Sequence, residues 1–215
     1  MNRTRLLKIA VLCLVSAVFN ALGSYLHTKT GIPLYVDTIF NAAMCFAAGL
    51  VPAVITGLLL SPVLSVWVWV YIFLRGSSFE FDFLGNIWVI CIAVEILIIW
   101  FSYKRMKERE AVFLKNPGLY SFIDLGTQLL VLSVLDCIAV SVTGGIIDYV
   151  ISSLSLPRSF SPEDNFKLGL LRNNVPLLTT AILSRIPINI VDRFFVIFGG
   201  YGVSLLYRKW LDKSA

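Results

Sequence analysis

Residues 31–57 read GIPLYVDTIFNAAMCFAAGLVPAVITG, and the reading of the chain starts from how this stretch is divided. A short polar and aromatic segment, residues 31–37, precedes an apolar run over 38–51. Pro52 interrupts it, and a second apolar run covers 53–74. The first run is too short to cross about 30 Å of hydrocarbon as an untilted helix, which takes about 20 residues. Ala42, Ala43, Ala47, Ala48 and Gly49 make it thin, so it can lie close against neighbouring helices. A thin helix behind a polar lip, followed at once by an antiparallel partner, predicts the floor and rim of a pocket open to one side of a membrane.

Composition sets the surroundings of that pocket. Of 215 residues, 58% are hydrophobic and 14% charged, with mean hydropathy +0.83. Soluble domains carry about 25% charged residues, so most of this surface is expected to face membrane lipid. Apolar runs recur from end to end, which predicts one membrane domain over residues 1–215. The net charge of +5 does not call for nucleic acid, because the basic residues sit between apolar runs, where membrane topology accounts for them. Cys13, Cys45, Cys91 and Cys137 lie inside apolar segments without metal-ligand spacing, so neither a disulfide framework nor a metal site is expected.

In chain order, Arg3, Arg5 and Lys8 precede an apolar run too long for a signal peptide, which fits a retained first helix over 6–26. Basic flanks mark the cytoplasmic side. Helices at 38–51, 53–74 and 83–103 follow, and the last of these runs into a basic loop, Lys104-Arg105-Met106-Lys107-Glu108-Arg109, assigned to the cytoplasm. A fifth helix covers 123–151 and a sixth 175–207, ending at Arg208 and Lys209. Between them Ser161-Pro162-Glu163-Asp164 has the residues of a helix start, with Phe166, Leu168, Leu170 and Leu171 as an apolar side. The expected architecture is an all-α, six-transmembrane-helix bundle with both termini cytoplasmic.

Ionisable groups at membrane depth are costly and point by default to function. Glu95 falls midway along the fourth helix and Asp136 midway along the fifth. The last helix carries Arg185, Asn189, Asp192 and Arg193, with 185, 189 and 192 spaced to share one face. Two readings are open. In one, Arg193 pairs with Asp136 or Glu95, and Arg185 with Asp192 or Asp148, tying helices together. In the other, Arg185 and Asn189 contact an anionic or amide-bearing solute. Tyr35, Asp37, Asn41, Asn86 and Asp148 add polar groups at the outer lip, and Asp37 also suits a cap on the second helix. Ala17 and Ala21 form a small-residue stripe facing either the chain's own bundle or a partner.

One histidine, His27, lies in a loop, and no HExxH, P-loop or nucleophile elbow is present. No enzyme and no cofactor is expected, and any pumping would draw its energy from a partner.

The residues Ile32-Pro33-Leu34-Tyr35-Val36-Asp37-Thr38-Ile39, Ala47-Ala48-Gly49-Leu50-Val51-Pro52, Gly57, the Ala17/Ala21 pair and Pro187-Ile188-Asn189-Ile190-Val191-Asp192-Arg193 resemble the substrate-binding S component of energy-coupling factor (ECF) vitamin transporters. The resemblance implies a multi-pass protein of a prokaryotic plasma membrane that captures a vitamin-like solute near the outer face, beneath a lid formed by the loop between the first two helices. It also implies that Ala17 and Ala21 meet a transmembrane T component, with two ATPase subunits supplying energy. A different class fits the same spacing: a stand-alone membrane sensor or scaffold in which Glu95, Asp136, Asp192 and Arg193 are purely structural.

Overall fold

The small residues of the short second helix decide how the others pack. The computed structural model describes residues 3–30, 36–75, 87–154 and 162–212. Within them the chain is all-helical and has no strand. Its helices are α1 (Arg3–Thr30), α2 (Ile39–Ala48), α3 (Leu50–Arg75), α4 (Val89–Lys115), α5 (Leu119–Leu154), α6 (Pro162–Arg172), α7 (Leu177–Leu183) and α8 (Ile186–Asp212). A single 3-10 turn, Val36–Thr38, leads into α2.

Ten residues give α2 a length of about 15 Å. Ala42 and Ala43 are fully buried, and α2 packs against α1, α3, α4 and α8, most closely against α8. The approach to α8 is close because Gly200 faces it: a Cβ there would lie 2.7 Å from Ala42 Cβ and 3.0 Å from the Ile39 carbonyl oxygen. Below this crossing Phe46 meets Tyr103 and Tyr201 edge-on, with ring centroids 5.1 and 5.7 Å apart.

Three boundaries differ from those expected. The break between α2 and α3 lies at Gly49, not Pro52. Gly49 has φ +94°, a conformation that side-chain-bearing residues rarely adopt, and its amide donates to the Met44 and Cys45 carbonyls at 3.2 and 3.1 Å. Pro52 sits inside the first turn of α3, where no amide donor is needed. The basic stretch 104–109 is not a loop: α4 continues through it to Lys115, as a run of Lys, Arg, Met and Glu permits. The helix expected over 175–207 is split into α7 and α8 by a turn at Ser184–Arg185. Pro187 explains the split, since it cannot donate to the Leu183 carbonyl and its ring would clash there. The helix expected there is observed from Pro162, the first residue of α6, and Ser161 lies outside the described residues.

Among the described residues two helices are long and apolar enough to cross a membrane, α1 over Arg3–Leu26 and α5 over Leu119–Ser153. α2 is a shorter apolar helix, and α3 is apolar over Leu50–Val66. Large apolar side chains also cover the outside of the bundle, among them Leu14, Val51, Phe101, Val134, Ile138 and Leu206.

Substituting Gly200→Ala is expected to force α2 and α8 apart and destabilise the protein by about 1–3 kcal/mol, the usual range for overpacking. Gly202 of the same helix has nothing within 4 Å of its would-be Cβ, so Gly202→Ala should leave stability unchanged or slightly raised. Thermal unfolding of both variants in detergent checks the pair.

Candidate functional site

A cavity of about 390 Å³ opens where five segments converge. The 3-10 turn contributes Asp37 and Thr38, α4 and the residue before it Trp88, Cys91, Ile92 and Glu95, and α8 with its preceding turn Arg185, Asn189 and Arg193. Ser24 of α1 and Val140 of α5 complete the lining. The break before α8 puts Arg185 at the helix entrance, where its carbonyl accepts the Asn189 amide at 2.9 Å. Positions 185, 189 and 193 then follow one another down the cavity-facing side of α8.

The deep end is built on Arg193, which is buried with its partners. Its guanidinium donates to Glu95 of α4, to the adjacent Asp192, and to Thr38 Oγ1 at 3.3 Å. Asp136 of α5 approaches to 3.8 Å, near enough for charge attraction but beyond a hydrogen bond. Four segments are joined through one side chain. Thr38 is also the residue preceding α2, yet its side chain makes no cap bond, because it is turned to Arg193. Among the described residues, Glu95 Oε1, Asp192 Oδ1 and both Asp136 oxygens have no hydrogen-bond partner.

The other end of the cavity carries Arg185, whose guanidinium lies over the Trp88 ring at 4.6 Å. Gly144 of α5 makes room for this pair, since a Cβ there would lie 3.3 Å from Arg185 Nη1 and 3.5 Å from Trp88. Arg185 Nε has no acceptor among the described residues. Asn189 is fixed from behind, donating to Ser141 Oγ at 2.9 Å.

Of the binding residues expected from sequence, Asp37, Arg185 and Asn189 line the cavity. Asn41 does not: it accepts from Asn20 Nδ2 at 3.0 Å and ties α2 to α1, while Asn20 Oδ1 accepts the Phe40 amide. Asp148 is also elsewhere, paired with Lys167 of α6 at 2.8 Å and accepting from Ser152. Tyr35 and Asn86 lie outside the described residues. Ala17 and Ala21 are buried among the chain's own helices, so the small-residue stripe of α1 faces the bundle. Asp192 does not share the cavity side with Arg185 and Asn189; the cavity residue there is Arg193. Trp88, Thr38 and Gly144 were not anticipated. Trp88, just ahead of an apolar run, carried the one available signal.

A second polar cluster sits farther along α4 and α8. Buried Glu110 accepts from Tyr103 Oη at 2.5 Å, Tyr201 Oη at 2.9 Å and Arg208 Nη1 at 2.5 Å. Arg208 also donates to Ser204 Oγ at 3.2 Å. Glu110 is seven residues past Tyr103 on α4, so the extension of that helix is what brings this carboxylate inside.

The cavity therefore offers one acceptor-rich end, one guanidinium laid on an aromatic ring, and an anchored amide between them. Such a set is chemically able to hold and orient a small molecule. Comparison with family models, curated proteins and solved structures finds no match.

Replacing Arg193 by Met is expected to cost about 3–5 kcal/mol, because it leaves buried carboxylates without their counter-charge. Adding Glu95→Gln and Asp192→Asn to that variant should restore most of the loss. Thermal unfolding in detergent decides it: an Arg193→Met protein as stable as the parent would mean that the network does not hold the helices.

Proposed function

We propose that the chain is the membrane-embedded, solute-binding subunit of an ECF-type importer, capturing a vitamin or related small molecule from the outer face. The observation that carries this reading is the cavity itself, with Arg185 and Asn189 on its wall and a buried charge network as its floor. The apolar exterior supports immersion in lipid. In this reading α1, α3, α4, α5 and the α7–α8 pair cross a cell membrane, and the short α2 with the segment leading into it supplies the sixth pass.

The distribution of charge supports the orientation. Arg3 and Arg5 begin α1, Lys104, Arg105, Lys107 and Arg109 occupy the last part of α4, and Arg208 and Lys209 end α8. All lie at helix ends remote from the cavity, as expected of a cytoplasmic face with both termini on it. Capture then occurs from outside, and uptake is powered by a transmembrane T component with two ATPase subunits. The partner would meet the exposed flank of α1, where Leu14, Val18 and Leu22 surround the buried alanines. A sensor or scaffold is favoured by one observation, the pairing of Arg193 with its own neighbours, which uses the deepest charges for structure alone.

Mass spectrometry of small molecules released from the purified, detergent-solubilised protein tests the capture reading, with a stoichiometric compound expected. Arg185→Ala should weaken its binding about 10- to 100-fold, the worth of a charge-assisted contact, while thermal unfolding without the solute stays cooperative. A protein that releases nothing and is stabilised by no added vitamin would favour the sensor or scaffold.

A further inference from the structure

Among the described residues the charges at the deep end do not balance. Three buried carboxylates, Glu95, Asp136 and Asp192, meet one guanidinium, Arg193. Arg185 contributes one more positive charge, but eight residues earlier, about 12 Å along the axis of α8. Buried charge of one sign, removed from water, calls for a compensating charge close by.

The position of the imbalance is given by Glu95. Its side chain is 1% exposed, it lines the cavity, and one oxygen is taken by Arg193. The other, Oε1, has no donor among the described residues. A buried acceptor without a donor, on a residue of the cavity wall, is an incomplete hydrogen bond. An anionic group placed there would meet Glu95 without a donor between them. A bare metal ion is also poorly served: among the described residues no three His, Cys, Asp or Glu side chains are placed to hold one, since the carboxylates gather on Arg193 instead. The fitting occupant brings both a positive charge and an N–H.

Resting on the capture reading above, we propose that the solute is an organic cation whose protonated nitrogen group, an ammonium, amidinium or protonated ring amine, donates to Glu95 Oε1. The rest of the molecule extends toward Arg185 and Trp88, so a flat or carboxylate-bearing body is accommodated at that end.

Three fragments of one shape separate charge from fit: benzamidinium, neutral benzamide and benzoate, added to the full chain in detergent at pH 7 while thermal unfolding is followed. Benzamidinium at ten times its dissociation constant should raise the midpoint by about 3–6 °C, with little or no rise from benzamide. Glu95→Gln should abolish the rise. Equal shifts from benzamidinium and benzamide on the unaltered protein would overturn the proposal even where that variant does not fold, as would a Glu95→Gln protein that keeps its benzamidinium response. Release of a stoichiometric compound without a basic nitrogen would overturn the cation while leaving capture intact. No released compound, together with no response to any of the three fragments, would remove both.

Discussion

A guanidinium shielded from water holds this bundle together. Arg193 cannot lose its proton and cannot be left bare in a hydrocarbon-like interior, so its partners must stay in place. Those partners come from α4, from α8 itself and from the turn before α2, with a further carboxylate on α5. The floor of the cavity is therefore the same object as the junction of the helices. A solute resting on it would rest on the part of the protein least able to give way.

Close packing around α2 makes that junction possible. Ala42 and Ala43 meet Gly200 with no side chain between, and the short helix leaves depth for a cavity beside its N-terminal end. Gly49 ends α2 where it does, and the residues that follow start α3 at once. A longer or bulkier α2 would fill the space now lined by Thr38, Asn189 and Arg193. The cavity lies where the short helix begins.

The all-helical class and the shortness of α2 were legible from hydropathy, length and small residues. So were Asp37, Arg185 and Asn189 as cavity residues, because polar groups inside apolar runs need a reason to be there. Among pairings across helices, that of Arg193 with Glu95 or Asp136 was one of the two readings open from sequence, and it is observed; that of Asp148 with Lys167 was not foreseen. Lys167 and Asp148 belong to separate helices, and nothing in their spacing joins them. Asp192 was grouped with Arg185 on helical spacing, whereas it serves its immediate neighbour, since an arginine side chain is long enough to fold back on the adjacent residue. Glu110 reads as part of a solvated basic stretch until α4 is seen to run on and turn it towards Tyr103 and Tyr201. Gly49 was passed over for Pro52 because proline is the stronger breaker in general, but it is tolerated in a first turn. Pro187, which does break its helix, sat inside a run apolar enough to look continuous.

The Glu110 cluster has a mechanical consequence. Glu95 and Glu110 both join α4 to α8, and fifteen residues of helix separate them by about 22 Å. Two rods pinned at two points can neither slide past one another nor swivel. α4 and α8, joined by these side chains and each packed against α2, are therefore held in one register along that wall of the cavity. α5 is tied to this pair as well, near its start to α4 through Asp124 and Arg109 at 2.6 Å and midway to α8 through Asp136 beside Arg193. Any widening of the mouth therefore falls to α7, packed against α5, and to α6, held by Lys167.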